Sequence, residues 1–411
     1  MVFIGTLFAG SACAQTTLVN GANEAGALPV NATNLYTFTA DKGDTLNLRL
    51  ATTGFSGWLQ LYGPDGARLT WTGGGTDVTI DDYTATNSGT FTVLVSSYFA
   101  GGNGTYVLRR AQIPETFTVP SGDEGGPLVN GANQTGTNDL ADLDLWTFTA
   151  NPGDTINLRL ATTGFSGWLQ LYGPDGARLT WTGGGTDVAI DDYTATNSGT
   201  FTVLVSSYFA GGTGTYVLRR AQFPGAFIVP PGDEGGGMNG SASYAGTLTL
   251  GDLDIWAFTA CQGDLISLQL NTTNFYGKLQ LYGSNGVLLN TVQGATLLNL
   301  AYTATNCGSF AALVSSYNQD DTGTYRLTVN GLADQMRLCS PVISGSRLTV
   351  NGVGGDPGTN CVLYSSTNLA QPFGLWTPVL TNQFNPLGVL TYTNTYDPAS
   401  RQLYFRFIET E

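Results

Sequence analysis

The chain has 411 residues, with 15 Lys plus Arg against 30 Asp plus Glu, a formal net charge of −15 and no histidine. This acidic balance disfavours nucleic acid and anionic membrane surfaces as partners, because both are bound through basic patches. The lack of histidine removes Ser-His-Asp and Cys-His catalysis and the commonest metal ligand. The 56 glycines, with many Thr, Tyr and Val residues, favour an all-β fold of strands joined by tight turns.

The beginning of the chain has the pattern of an export signal. Residues 2–9 are apolar, and residues 12–14 (Ala-Cys-Ala) form a small-x-small cleavage site. A lipid-anchored Cys13 is the alternative, although Gly10 stands where a lipoprotein signal has leucine. No other stretch is apolar over the roughly 18 residues that a membrane helix needs. We therefore expect a protein that is secreted or at the cell surface and is not inserted into a membrane. We also expect it to be monomeric.

A long internal repeat dominates the rest of the chain. Residues 47–112 recur at 157–222 with only two differences, and a diverged third copy includes residues 274–290 and 302–310. The period of about 110 residues exceeds the roughly 20–50 of solenoid units, so each copy is expected to fold around its own core. From about Met336 the pattern changes to that of a smaller fourth domain.

Within each repeat, short alternating segments predict strands. Leu46, Leu48 and Leu50 share one face at a period of two, and the segment 58–62 (Trp-Leu-Gln-Leu-Tyr) precedes a Gly-Pro-Asp-Gly hairpin turn. Seven or eight such strands with one apolar face predict a β-sandwich. The proline-bounded joints predict short, stiff spacers. The predicted organisation is a signal peptide (1–14), repeat 1 (15–112), a linker (113–126), repeat 2 (127–222), a linker (223–236), repeat 3 (237–330) and a C-terminal domain (337–411).

The repeats resemble a known family through three motifs: YTFTADKGDTLNLRL, LQLYGPDGARL and GTYVLRR. These are similar to the bacterial pre-peptidase C-terminal (PPC) domains, which are jelly-roll-like β-sandwiches appended to secreted peptidases and other exported enzymes. The motifs YSSTNL and YFRF, with Trp376, are similar to a fibronectin-III-like module of exported bacterial proteins. The resemblance implies a tandem array of three jelly-roll-like β-sandwiches plus a smaller C-terminal β-sandwich.

Four cysteines remain after removal of the signal, and an even count in an exported chain favours disulfides. Cys261 and Cys307 replace non-cysteine residues of the first two repeats, both in turns at strand starts. This paired appearance predicts a Cys261–Cys307 bond and leaves Cys339–Cys361 inside the C-terminal domain. Buried free thiols are the alternative.

The PPC resemblance also implies calcium or collagen binding, as in some members of that family. Calcium prefers several hard oxygen ligands on adjacent loops. Paired aspartates enter a strand in repeats 2 and 3, and acids in the joints lie close upstream, whereas repeat 1 has Ala32 and Asn34 at the paired positions. The alternative is that these acids cap turns. The candidate ligands are Asp123, Glu124, Asp142, Asp144, Asp233, Glu234, Asp252 and Asp254.

Aromatic side chains form the second candidate site. If Leu59 and Leu61 face the core, their neighbours Trp58 and Tyr62 face outward, and exposed aromatics are typical of sugar-binding and partner-binding surfaces. The alternative is that they pack against a neighbouring domain. Trp146, Trp256 and Trp376 occupy core-type positions instead and are predicted to be structural. The candidate ligand-binding residues are Trp58, Tyr62, Trp71, Trp168, Tyr172 and Trp181.

No catalytic motif is evident, and the six glutamates lie in loops, joints or the terminus. The sequence therefore predicts a secreted, non-catalytic protein that binds an extracellular polysaccharide or a fibrous matrix protein, with Ca²⁺ as the candidate cofactor. The alternative is a structural spacer, or an accessory region of an exported hydrolase such as a peptidase.

Overall fold

The computed structural model describes residues 16–238, 240–332, 336–356, 358–385, 388–395 and 402–410. The predicted export signal, with Cys13, lies outside these residues. Apart from turns and loops, the described chain consists of β-strands and one 3-10 turn at Phe373–Leu375. None of its helical segments is long and apolar enough to cross a membrane.

Repeat 1 is a β-sandwich of nine strands. They are β1 Thr16–Thr17, β2 Asn23–Leu28, β3 Thr33–Ala40, β4 Thr45–Thr53, β5 Gly57–Tyr62, β6 Arg68–Gly75, β7 Asp77–Thr84, β8 Gly89–Ser97 and β9 Gly104–Ile113. A five-stranded sheet has the order β1-β3-β8-β5-β6, and a four-stranded sheet has the order β2-β9-β4-β7. Leu48 of β4 and Leu59 of β5 are fully buried between the sheets, as the period-two pattern predicts.

Repeats 2 and 3 have the same architecture and the same two strand orders. Repeat 2 contains β10 Gly126–Pro127, β11 Asn133–Asn138, β12 Asp144–Ala150, β13 Thr155–Thr163, β14 Gly167–Tyr172, β15 Arg178–Gly185, β16 Asp187–Thr194, β17 Gly199–Ser207 and β18 Gly214–Phe223. Repeat 3 contains β19 Gly236–Gly237, β20 Ala242–Leu248, β21 Asp254–Ala260, β22 Leu265–Thr273, β23 Gly277–Tyr282, β24 Leu288–Gly294, β25 Leu297–Thr303, β26 Gly308–Ser316 and β27 Gly323–Asn330.

The C-terminal domain is a smaller sandwich with its own core, which includes Val350, Leu363 and Phe384. One sheet has the order β28-β30-β29 with β33 also paired to β30, and the other has the order β32-β31-β34. Its strands are β28 Arg337–Leu338, β29 Val342–Ser344, β30 Arg347–Val353, β31 Asn360–Ser366, β32 Thr377–Gln383, β33 Leu390–Thr395 and β34 Tyr404–Thr410. The fold is therefore all-β, a tandem array of three jelly-roll-like sandwiches followed by a smaller one.

Each repeat folds around a core made of its own residues. The buried cluster of repeat 1 is drawn from residues 18–108, that of repeat 2 from residues 128–218 and that of repeat 3 from residues 238–332. Trp146 and Trp256 are buried in these clusters, so the prediction that they are structural is confirmed. Trp376 is half-buried beside Phe373 and donates its indole N–H to the carbonyl of Gln371 at 3.1 Å.

The repeats also contact one another directly. We call the outward surface of a repeat's four-stranded sheet its tail face, and that of its five-stranded sheet its head face. The tail face of repeat 1, with Ala111 and Ile113, packs against Leu145, Tyr172 and Leu204 on the head face of repeat 2. The same contact recurs between repeats 2 and 3, where Ala221 and Phe223 meet Ile255, Tyr282 and Leu313. Burial of these apolar side chains favours a fixed stacking of the repeats.

The linkers do not separate the sandwiches as spacers. The first one folds back on repeat 1, where the N–H of Thr118 donates to the carbonyl of Asn20 at 2.9 Å. Gly126, the last linker residue, and Pro127 after it then pair in parallel with β12 of the next repeat. Each linker thus runs alongside an interface in which the two sheet faces touch.

The predicted disulfide pairing is wrong. Cys261 is bonded to Cys339, which ties repeat 3 to the C-terminal domain, while Cys307 and Cys361 are free. The comparison of repeats placed Cys307 correctly beside Cys261, because the three sulfur atoms of Cys261, Cys307 and Cys339 all lie within 4.8 Å of one another. It could not show that the folded C-terminal domain brings Cys339 to the same point.

Candidate functional site

A cluster of four aromatic rings lies at one end of the five-stranded sheet of repeat 1. We call Trp58, Trp71, Tyr98 and Phe99 aromatic cluster 1. The ring of Trp58 lies edge-on to those of Trp71 and Tyr98, with centroids 6.2 and 6.3 Å away. Edge-to-face contacts of this kind hold aromatic rings in a defined arrangement. Gly73 makes room for it, since a Cβ there would lie 2.7 Å from the Tyr98 ring.

The same arrangement recurs in repeat 2 as aromatic cluster 2, formed by Trp168, Trp181, Tyr208 and Phe209. The ring of Trp168 lies 6.2 Å from that of Trp181 and 6.1 Å from that of Tyr208. Trp71 and Trp181 are 48% and 46% exposed, so stacking of the repeats leaves both clusters open. The chain therefore presents two nearly identical aromatic surfaces.

The structure changes which residues form these surfaces. Trp58 and Trp168 are half-buried, and their indole N–H groups are enclosed without a hydrogen-bond partner among the described residues. Each of them lies edge-on to the exposed tryptophan of its cluster, Trp71 or Trp181. Each also lies edge-on to a tyrosine, which is Tyr98 or Tyr208. Sequence reasoning missed the last two and their neighbours Phe99 and Phe209. The signal was a Tyr-Phe pair between the end of a strand and a Gly-Gly turn.

The two tyrosines predicted to join these surfaces have different surroundings. Tyr172 is fully buried in the contact between repeats 1 and 2, which corrects the expectation that its ring faces solvent. Tyr62, in the same local sequence, is half-buried on the head face of repeat 1. Repeat 3 has Lys278 in place of the first tryptophan and keeps a smaller pair, Tyr276 and Tyr317, whose rings are 5.5 Å apart.

The predicted acidic residues converge at the two joints between repeats. Carboxylate oxygens of Asp123, Glu124 and Asp144 lie within 4.8 Å of one another, as do those of Asp233, Asp252 and Asp254. The other predicted members lie beside these groups. Asp142 pairs with Arg109 of repeat 1, at 3.1 Å from its Nε, and Glu234 follows Asp233 directly. We call the two groups joint site 1 and joint site 2.

In each joint site one carboxylate is buried, and only one of its two oxygens accepts a hydrogen bond. Tyr216 donates its hydroxyl to Oδ2 of Asp144 at 2.8 Å, and Tyr325 does the same for Asp254 at 2.7 Å. The Oδ1 atoms of both aspartates are enclosed and have no hydrogen-bond partner among the described residues. Desolvation, followed by the repulsion of the neighbouring aspartate, raises the pKa of each of these carboxyls to about 9. Such a carboxyl holds a proton at neutral pH unless a cation replaces it.

Repeat 1 provides a natural comparison for the joint sites. Asn34 occupies the strand position of Asp144, since the two residues face Val95 and Val205 respectively in the same register. Its neutral amide is satisfied within the repeat, donating to the carbonyl of Ala27 at 2.9 Å and to the hydroxyl of Tyr106 at 2.5 Å. The unsatisfied oxygen is therefore a feature of the two positions that have a preceding repeat and a joint acid. The donor set, all oxygen and mostly carboxylate, has the chemistry that Ca²⁺ prefers.

Comparison with known proteins gives a limited context. No protein-family model matches the chain, and neither does any curated protein. Among solved structures, it is similar to the pre-peptidase C-terminal domain of collagenase from Bacillus anthracis, at 19% identity over 24% of this chain and 96% of that one, with a TM-score of 0.22. It is also similar to tripeptidyl peptidase 2, at 10% identity over 94% of this chain and 36% of that one, with a TM-score of 0.19. A triple-jelly-roll protein of an archaeal virus matches at 11% identity over 77% of this chain and 92% of its own, with a TM-score of 0.18.

Proposed function

We propose that the chain is an exported, non-catalytic binding protein that attaches to an insoluble polysaccharide or a fibrous matrix protein through aromatic clusters 1 and 2. The observation that carries this proposal is the repetition of one exposed aromatic arrangement in two neighbouring domains, with Trp71 and Trp181 presented alike. The resemblance of the sequence motifs to PPC domains, and of the last domain to a fibronectin-III-like module, agrees with a role beside exported enzymes.

The shape of each cluster suits a flat, partly apolar ligand. An indole ring offers a large apolar face at a low cost in conformational entropy, because only two side-chain torsions must be fixed. In both clusters a second tryptophan lies edge-on to the exposed ring, and in cluster 2 Tyr208 also stacks on Trp181, so little ordering remains for the binding event. Sugar rings and extended polypeptides both present surfaces of this kind.

Two such sites on one chain favour an extended, repetitive ligand. The repeats stack through buried contacts, so the spacing of the two clusters is fixed by the fold. A ligand that repeats along its length can engage both, and the second contact then forms at a high effective concentration. Binding that is weak at each cluster becomes firm when both engage, typically by a factor of about 10²–10⁴.

We further propose that Ca²⁺ binds at the joint sites and stabilises the stacking. Asp144 and Asp254 supply the buried, half-satisfied carboxylates, and Asp123 and Asp233 supply joint oxygens beside them. A divalent cation there would replace the proton that burial otherwise places on these groups. Because each joint site combines a linker acid with a strand acid, the bound ion would tie the linker to the repeat that follows it.

The test of binding is retention of the intact chain on insoluble polysaccharides and on collagen fibres, beside a Trp71→Ala/Trp181→Ala variant. We expect the natural chain to be retained and the double variant to be lost in the wash. The matched control is Tyr317→Ala, which removes a comparably exposed aromatic ring from repeat 3, where no tryptophan cluster exists. Equal retention of the natural chain and the double variant would refute the assignment to these clusters.

The rival proposal is a spacer or accessory region of an exported hydrolase such as a peptidase. The observation that favours it is the direct stacking, in which Tyr172 and Tyr282 are fully enclosed between repeats. A stack of that kind holds whatever is attached to its two ends at a fixed distance. Failure of the natural chain to bind any of the matrices would favour the spacer or accessory role over the binding role.

A further inference from the structure

The head faces of repeats 2 and 3 are each covered by the repeat that precedes them. In each case the tail face of the preceding repeat covers three apolar or aromatic side chains, which are Leu145, Tyr172 and Leu204 in repeat 2. The head face of repeat 1 has Leu35, Tyr62 and Leu94 at the matching positions, and all three are only half-buried. The described chain thus buries this surface twice and leaves its third example open.

The buried interfaces also show what the occupant contributes. Asn47 donates its amide to the hydroxyl of Tyr172 at 3.4 Å, and the Tyr172 hydroxyl donates to Oδ1 of Asp82 at 2.6 Å. Arg178 of repeat 2 forms an ion pair with the same aspartate. Arg49 reaches across to the carbonyl of Ser207 at 2.9 Å. The tail face therefore presents an asparagine, an arginine and a carboxylate to the head face.

The open head face already holds the arrangement that these groups recognise. Tyr62 donates its hydroxyl to Oε1 of Gln60 at 3.1 Å, and Arg68 donates to the same oxygen at 3.3 Å. In repeat 2 the hydroxyl oxygen of Tyr172 and the guanidinium of Arg178 likewise lie 2.9 and 3.4 Å from Oε1 of Gln170, but the single hydroxyl proton is donated to Asp82, to which Arg178 also donates. Repeat 1 thus has the tyrosine hydroxyl and the guanidinium in place and lacks only the carboxylate, so little reorganisation is needed for docking.

The tail face of repeat 3 does not carry the complementary groups. Ser267 and Gln269 stand where repeat 1 has Asn47 and Arg49. Tyr302 is the equivalent of Tyr83, but the residue before it is Ala301 where repeat 1 has Asp82. In repeat 1 a register shift between β4 and β7 displaces Asp82 outward, whereas β25, which contains Ala301, pairs with β22 without such a shift. A second copy of this chain therefore offers no matching surface at its open tail, as is typical of the capping unit of a repeat array.

We propose that the head face of repeat 1 is a docking surface for a further sandwich repeat of the same type, one whose tail face carries the asparagine, the arginine and the bulged aspartate. The established contact between repeats 1 and 2 is the template for this interface. Its partner is defined by chemistry, namely a carboxylate that reaches both Tyr62 and Arg68 and an apolar patch that covers Leu35 and Leu94.

The first test extends the intact chain. A second copy of residues 16–127 is placed directly before Leu18, so that the new junction repeats the natural joint between repeats 1 and 2. Tyr62→Ala is then made in repeat 1 of both the natural and the extended chain, and its effect on the melting temperature is compared with that of Tyr172→Ala. We expect Tyr62→Ala to lower the melting temperature clearly more in the extended chain, and there by about as much as Tyr172→Ala. An equal effect in the natural and extended chains would overturn the proposal.

The second test puts the same contact in trans, which keeps the proposal testable if the extended chain does not fold. The probe is residues 16–126 carrying Tyr62→Ala, which keeps the tail face but cannot stack on itself, and whose core lies within its own residues. After a cooperative melt has shown that the probe is folded, it is titrated on to the intact chain in sedimentation velocity. We expect a complex that Tyr62→Ala in the intact chain abolishes. No complex at high micromolar probe, or self-association of the intact chain that Tyr62→Ala abolishes, would show that the occupant is not a repeat of this type.

Discussion

The hydroxyl of Tyr172 in repeat 2 donates a 2.6 Å hydrogen bond to Oδ1 of Asp82 in repeat 1, and Tyr282 makes the same bond to Asp192 one repeat later. Asp82 reaches this position because β4 and β7 shift register there, which places the residue at a φ of 52°. The amide oxygen of Asn47 accepts the N–H of Asp82 at 2.9 Å and so supports the bulge. One irregularity in an edge strand thus supplies the carboxylate on which the stacking of repeats depends.

The first prediction is that Tyr172→Phe destabilises the chain, whereas Tyr62→Phe does not. Loss of the Tyr172 hydroxyl removes its bond to Asp82 in the partly buried contact between the repeats, which should cost about 1–3 kcal/mol in the free energy of unfolding. The Tyr62 hydroxyl, in the same local sequence, bonds only to Gln60 among the described residues and should cost within about 0.5 kcal/mol. Urea unfolding of the two single variants and of the natural chain measures the difference.

Asp82→Ala supplies the control for this first prediction. If Tyr172 and Asp82 act through their mutual hydrogen bond, the effects of the two substitutions should be clearly less than additive in the double variant. Additive effects, or equal costs for Tyr62→Phe and Tyr172→Phe, would show that the hydroxyl does not stabilise the interface.

The second prediction uses two glycines that share a hairpin turn. Gly66 and Gly176 both have positive φ, 75° and 82°, so alanine at either one should cost about 1–2 kcal/mol through backbone strain alone. A Cβ at Gly66 meets nothing within 4 Å, whereas a Cβ at Gly176 would lie 2.5 Å from the carbonyl oxygen of Ile113 in the preceding repeat. Gly176→Ala should therefore lower the melting temperature further than Gly66→Ala. The same melting temperature for both variants would place the turn of repeat 2 away from repeat 1.

The sequence predicts the fold of each repeat but not the contacts between repeats, because the first depends on local patterns and the second does not. The alternation around Leu48 and Leu59 is local, and a period of two with turn residues at the ends predicts a sandwich strand wherever it occurs. Tyr62 and Tyr172 have identical neighbours in sequence but different burial, because burial depends on whether another repeat precedes them. The Cys261–Cys339 bond has the same origin, since it joins two domains whose relative placement leaves no local signal.

The third prediction concerns the pH dependence of the calcium-free chain. Burial raises the pKa of Asp144 from its ordinary value near 4 to about 9, so between these values the folded state keeps a proton that the unfolded state has released. The unfolded state then binds fewer protons, and stability falls as pH rises from about 4 to about 9. Asp254 acts in the same direction. In EDTA, the melting temperature should therefore be higher at pH 5 than at pH 8.

Calcium should act in the opposite direction at the higher pH. Added Ca²⁺ replaces the proton on the joint carboxylates, so it should raise the melting temperature at pH 8 much more than at pH 5. An Asp144→Asn/Asp254→Asn variant copies the natural Asn34 of repeat 1 and should lose most of the pH slope and the calcium response together. A calcium response that survives in this variant would place the ion elsewhere.

The fourth prediction is that the two free thiols differ in reactivity. Cys307 is half-buried at the edge of the Cys261–Cys339 bond, whereas Cys361 lies in the core of the C-terminal domain, where burial raises the pKa of its thiol to about 11. Because the thiolate is the reactive form, an alkylating reagent at pH 8 should label Cys307 in the native chain and Cys361 only after unfolding. Mass mapping of the two peptides without reductant measures this, with Cys307→Ser and Cys361→Ser as paired controls.

Recovery of a Cys261–Cys307 peptide would instead show that the thiol has exchanged into the bond, because its sulfur lies within 4.8 Å of both partners. Labelling of Cys361 before Cys307 would contradict the placement of both residues.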